Sequence, residues 1–113
     1  MDINDYQNKA LKSAFYTGDN IIPDMAYLGL GVAGEAGEVA DKIKKFYRDK
    51  PKTPGDIAKS RVGIAKEIGD NLWYLSTLAA KLGFTMEEIC KMNLEKISDR
   101  ASNGTQHGEG DDR

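Results

Sequence analysis

The chain has 113 residues, 40% hydrophobic and 30% charged, which suits one soluble globular domain with one core and one site. Its 16 basic and 18 acidic residues leave a net charge of −2, which argues against a protein that grips a nucleic-acid polymer through a basic face. One cysteine, Cys90, and one histidine, His107, exclude an internal disulfide, a cysteine zinc cluster and a two-histidine metal site built from this chain alone.

The first residues, Met1 to Asp5, are acidic and lack the charged-then-apolar layout of a signal peptide. No segment approaches the roughly 18 consecutive apolar residues that span a bilayer, so a reduced, cytoplasmic protein without membrane contact is expected. Asn4 or Asp5 can cap a first helix running to about Tyr16, with Tyr6, Ala10, Leu11 and Ala14 as its inner stripe. Thr17, Gly18, Asp19 and Asn20 read as a stop and turn. Pro23 suits the first turn of a second helix, in which Leu28, Val32, Ala36, Val39, Ile43 and Phe46 recur at spacings of three and four. That helix should end near Asp49, because Pro51 and Pro54 cannot continue it.

Lys50 to Gly55 reads as a polar loop, after which Asp56 can cap a third helix. Ile57, Ile64, Ile68, Leu72, Leu75, Ala79 and Leu82 mark its apolar face, and Gly83 ends it. Thr85 and Glu88 form a capping box that opens a fourth helix carrying Ile89, Met92, Leu94 and Ile97. Cys90 reads as a small buried hydrophobe. With no strand signals and no repeats, the expected architecture is all-α. It is a four-helix bundle over residues 1–101, followed by a glycine-rich polar tail, 102–113, that is mobile unless something holds it. The second and third helices are long and amphipathic for so short a chain, so a partner subunit should cover part of them, giving a homodimer or a dimer of dimers.

The informative residues are Glu35 and Glu38 on the second helix and Glu67 and Asp70 on the third. Positions i and i+3 share a helix side, so two adjacent helices can converge four carboxylates on one small volume. Four anions cannot share a low-dielectric cleft uncompensated, and a hard divalent cation resolves the conflict. Oxygen-only ligation points to Mg²⁺ or Mn²⁺. Glycine inside a helix costs roughly 1 kcal/mol relative to alanine, so Gly34, Gly37 and Gly69 call for close helix approach or room for a ligand. A ferritin-like di-iron site is excluded, since it needs Glu-x-x-His motifs and the single histidine lies in the tail.

Two segments carry a family likeness: Gly31 to Ala40, containing Glu35 and Glu38, and Glu67 to Leu75, containing Asp70, Trp73 and Tyr74. Together they resemble the MazG-type signature of the all-α NTP pyrophosphatase superfamily. The likeness extends through Tyr6 and Gln7 in the first helix and Asn93 to Lys96 in the fourth. It implies a metal-dependent enzyme that converts a (d)NTP and water to the (d)NMP and pyrophosphate, with house-cleaning of non-canonical dNTPs as a family role. It also implies that Glu35, Glu38, Glu67 and Asp70 hold Mg²⁺ and that Asn93, Lys96 and Arg100 bind nucleotide. The tail ending in Asp111, Asp112 and Arg113 would fold over the site. The family pattern opens with two adjacent glutamates, and here Gly34 stands in place of the first.

In such a site a water acidified by the cation would attack the α-phosphorus and expel pyrophosphate, with Glu38 as the candidate proton acceptor. Lys42 and Lys45, one and two turns beyond Glu38, can contact phosphate or stand as ordinary solvated lysines. Trp73 or Tyr74 can stack on a base, although at least one of them is expected in the core. Gln7 can read a base edge or face solvent. Two other readings remain at this stage: a non-catalytic nucleotide-binding module, kept open by Gly34, and a helical interaction protein whose carboxylates are solvated decoration.

Overall fold

The computed structural model describes residues 1–14 and 20–113. Within them the chain forms four helices and no strand: α1 (Ile3–Lys12), α2 (Ile21–Asp49), α3 (Pro54–Lys81) and α4 (Met86–Asn103). The all-α expectation holds. Helix ends differ from the sequence reading in ways that the caps explain.

Asp2, rather than Asn4 or Asp5, caps α1, accepting from the Asp5 amide at 2.8 Å while the Asp5 carboxylate reaches back to the Asp2 amide. This helix stops at Lys12, short of Tyr16. Ser13 hydrogen-bonds back to the Ala10 carbonyl at 2.8 Å, offering the backbone an alternative to another helical turn. Tyr16 and the turn at Thr17 to Asp19 lie outside the described residues. Thr53, rather than Asp56, caps α3, and Pro54 takes the first helical position, where a missing N–H costs nothing. The Thr85–Glu88 capping box opens α4 as the sequence indicates.

Helices α2 and α3 pack antiparallel along most of their length. Their register is pinned at two levels. Buried Asp24 pairs with Lys81 at 2.5 Å near one end. Further along, Gly31 lies against the Tyr74 ring, so closely that a Cβ at position 31 would collide with it. Close helix approach therefore belongs to Gly31. At Gly34, Gly37 and Gly69 an added Cβ would meet nothing within 4 Å in the chain.

At the end of the hairpin carrying the C-terminus of α3, buried Gln7 joins three elements. Its amide nitrogen donates to the Ser76 and Phe84 carbonyls, each at 3.0 Å, and its amide oxygen accepts from the Met86 amide at 3.1 Å. Neither base reading nor solvent exposure, the two expectations for Gln7, is met; the side chain is a structural tether. Asn4 adds a bond from the Glu87 amide at 3.0 Å, and Trp73 donates its indole N–H to Ser13 at 2.9 Å.

The four helices do not close on one another within one chain. Helices α2 and α4 make no contact among the described residues. The radius of gyration is 17.3 Å, against about 13 Å for a compact chain of this length. Buried apolar residues are few: Ala10, Leu28, Ala79 and Met86 among those described. Much of the expected inner face of α2, α3 and α4 is open, with Ile43, Ile68, Leu75, Met92, Leu94 and Ile97 all exposed. Cys90 is exposed too, contrary to expectation, because α4 is covered only where it meets α1 and α3. The tail is held. The Arg113 guanidinium donates to the carbonyls of Thr105, Gln106 and Gly110, and Asp111 pairs with Lys96 at 3.2 Å.

Removing the Gln7 side chain takes the partner from the Met86 amide and one donor each from the Ser76 and Phe84 carbonyls. Gln7→Ala should lower unfolding free energy by roughly 2–4 kcal/mol in urea titrations followed by circular dichroism. In the same assay Gly31→Ala should cost about 1–3 kcal/mol through overpacking against Tyr74. Gly34→Ala should instead stabilise by up to about 1 kcal/mol.

Candidate metal centre

Glu35 and Glu38 stand three residues apart in the middle of α2, and Glu67 and Asp70 repeat that spacing on α3. The antiparallel register brings the two pairs to the same level of the groove. Glu35, Glu67 and Asp70 each offer a carboxylate oxygen such that the three oxygens lie within 4.8 Å of one another. Around an octahedral Mg²⁺ with bonds of ~2.1 Å, adjacent ligand oxygens are about 3 Å apart and opposite ones about 4.2 Å. The donor set and its spread therefore fit a hard divalent cation after small side-chain rotations. Glu38 is exposed and outside that trio, yet close enough for its charge to act on Glu35.

The electrostatics follow from this crowding. Partial burial pushes the Glu35 carboxyl above its ordinary value of 4.5, and the neighbouring Asp70, Glu67 and Glu38 charges push the same way. Lys42 offsets part of the negative charge. Its ammonium lies 2.9 Å from Glu67, a hydrogen bond that raises the Lys42 pKa, reinforced by the charges of Glu67, Glu38 and Asp70.

Aromatic groups border the carboxylates on the side away from Lys42. Tyr74 forms an edge contact with Trp73, with ring centroids 4.9 Å apart, and a tilted contact with Tyr27 at 6.4 Å. Burial raises the Tyr74 hydroxyl pKa, with added effects from the Tyr27 hydroxyl and from Glu35 and Asp70. Burial likewise raises Tyr6, and Asp70 contributes, so α1 also reaches this region. Tyr6 and Tyr27 were not singled out as site neighbours from the sequence. Pairing α2 with α3 antiparallel, so that a glycine faces a large ring, is the signal that would have found Tyr27.

The remaining sequence candidates lie elsewhere in the chain. Asn93, Lys96 and Arg100 sit on α4, which does not touch α2. Lys96 and Arg100 face the tail instead, where Arg100 donates to the Asp111 carbonyl at 2.9 Å. One chain thus unites Glu35, Glu67, Asp70 and Lys42, with Glu38 at the edge. It does not bring the α4 candidates to them.

A family model described as MazG nucleotide pyrophosphohydrolase domain matches residues 25–105, which takes in both carboxylate pairs. Among curated proteins, the chain is 36% identical over 117 aligned positions to the Gene 37 protein of Mycobacterium phage L5, with 100% of each chain covered. No solved structure gives a significant match. Among the described residues, no helix is long and apolar enough to cross a membrane.

The raised Glu35 pKa has a definite sign. A proton held more tightly by the folded chain stabilises the fold at low pH, and that benefit is lost as pH climbs through the raised value. Without divalent cations, Glu35→Gln should therefore raise the melting temperature at pH 7 and leave it nearly unchanged at pH 4. Adding a divalent cation at pH 7 should stabilise the wild type more than the variant. Differential scanning fluorimetry across pH, with and without EDTA, reads both effects.

Proposed function

The chain belongs to the MazG nucleotide pyrophosphohydrolase family, and from that premise we propose that it hydrolyses a nucleoside triphosphate to the monophosphate and pyrophosphate. The observation that carries the reading is the convergence of Glu35, Glu67 and Asp70 from two helices, with Lys42 beside them. Glu35, Glu38, Glu67 and Asp70 would hold Mg²⁺, with Mn²⁺ as a substitute. Bound there, the cation would neutralise phosphate charge and lower the pKa of water.

The chain's own residues supply the rest. Glu38 is exposed beside the cluster, so its carboxylate is open to accept a proton from the attacking water. Lys42 would exchange its Glu67 contact for a phosphate oxygen when the triphosphate enters. The terminal phosphates leave as pyrophosphate when the bond between the α- and β-phosphates breaks. Aberrant dNTPs are the proposed physiological substrates, in the cytoplasm, with neither a nucleic-acid polymer nor a membrane as partner.

The same reading gives the open helix faces a purpose. The chain exposes 8274 Å², against about 6,100 Å² for a compact monomer of its mass. That excess exceeds the roughly 800 Å² per partner of a standard interface. A homodimer or dimer of dimers would cover the open faces of α2, α3 and α4. It would also let Asn93, Lys96 and Arg100 of one copy serve the carboxylates of another.

The test is a panel of canonical and modified NTPs and dNTPs, incubated with Mg²⁺ or EDTA and resolved by ion-exchange chromatography. Monophosphate and pyrophosphate should appear only with metal. Glu38→Gln and Asp70→Asn should slow turnover by on the order of 100-fold or more. Diphosphate and orthophosphate as products would overturn the proposed bond. Metal binding without turnover of any nucleotide would point instead to a non-catalytic module.

A further inference from the structure

Beyond the carboxylates, the α2–α3 groove continues into a cavity of about 420 Å³ between the C-terminal half of α2 and the N-terminal half of α3. Its size falls within the range of roughly 300–1,000 Å³ typical of small-molecule sites. Lys42, Lys45 and Lys59 line it together with Ser60 and Phe46. The acidic lining residue, Asp49, forms an exposed pair with Arg48, with guanidinium bonds of 2.7 and 3.1 Å, and also feels the Lys45 charge. Among the described residues Lys45 makes its ion pair with Asp41, exposed and on the same helix, at 2.6 Å. Such pairs contribute little and exchange readily. Lys59 makes no ion pair among the described residues. The cavity is thus cationic and open to an anion.

Its position matters as much as its charge. Reading α2 forwards and α3 backwards, the groove presents three zones in order: the Tyr27 and Tyr74 rings, the Glu35, Asp70 and Glu67 carboxylates, then the lysine cavity. Lys42 joins the last two, since it bonds Glu67 and also lines the cavity. At Gly63 a Cβ would make only ordinary van der Waals contact with the Lys42 side chain, 3.7 Å from its ammonium.

We infer that the cavity is the polyphosphate subsite, with Lys45, Lys59 and Ser60 receiving the β- and γ-phosphates of the nucleotide. The inference rests on the pyrophosphohydrolase reading and adds a polarity to it. The nucleoside lies toward Tyr27 and Tyr74, the scissile bond lies at the carboxylates, and the leaving pyrophosphate lies toward Lys59. Lysines suit this role because an ammonium on a flexible stem can follow phosphate oxygens without demanding one geometry.

Isothermal titration of the full chain with Mg²⁺ tests the assignment, using inorganic tripolyphosphate, the four α,β-imido dNTPs and the four dNMPs as probes. Lys59→Gln and Lys45→Gln should each weaken tripolyphosphate and imido-dNTP binding about tenfold, while leaving any dNMP binding unchanged. Lys91→Gln, on exposed α4, is the charge-matched control and should change nothing. Thermal melts establish that the variants fold. Unchanged tripolyphosphate affinity in Lys59→Gln, or an equal loss in Lys91→Gln, would overturn the subsite. If the wild type hydrolyses nucleotides while that happens, the function stands and only the subsite falls. If it neither binds nor hydrolyses them, both fall.

Discussion

The antiparallel register of α2 against α3 is the constraint on which the site depends. A helix places side chains on one face every three or four residues, so sliding one helix by a turn would carry Glu35 past Asp70 to a different neighbour. Two unlike contacts hold the setting. The buried Asp24–Lys81 pair fixes charge against charge, and the Gly31–Tyr74 contact fixes a gap against a ring. A buried ion pair contributes little net stability once desolvation is counted, but breaking it by removing one partner would leave the other charge buried and uncompensated. Tyr74 complements it, because only a position without a Cβ admits its ring.

Once the register is set, electrostatics follows. Carboxylates from both helices come within 4.8 Å, an arrangement that opposes folding unless positive charge is supplied. Lys42 supplies one charge through Glu67, while partial burial, reinforced by the Asp70, Glu67 and Glu38 charges, raises the Glu35 pKa. Trp73, Tyr74 and the Gln7 tether are concentrated toward the far end of the hairpin, away from the lysine cavity.

The peripheral elements divide along the same line. Helix α1 is bound to the end of α3 and the start of α4 by side chains: Gln7 and Asn4 satisfy backbone groups, and Ser13 accepts from the Trp73 indole. The remainder of α4 stands clear of α2, with Met92, Leu94 and Ile97 uncovered. At its end the chain folds back on itself, where Arg113 meets three carbonyls and Asp111 meets Lys96 and Arg100. Composition alone could not foresee that ordering, because it comes from a single guanidinium matched to the curvature of one loop.

Periodicity and capping chemistry are local, and the sequence by itself determined what they govern. The four helices, the capping box at Thr85 and the end of α2 near Asp49 were all legible in residue spacing. Errors at this level were also local: Asp2 and Thr53 outcompeted later capping candidates, and Ser13 ended α1 early. What faces what was not legible, because it depends on register and on coverage. Only the tertiary structure decided that Gln7 is a buried tether, that close approach occurs at Gly31, and that Cys90 is exposed. It also decided that Lys42 lies on Glu67 while Asn93, Lys96 and Arg100 lie apart from the carboxylates. The physical reason is the same throughout: a helix presents its residues in a fixed order, but the partner they meet is set by contacts many residues away.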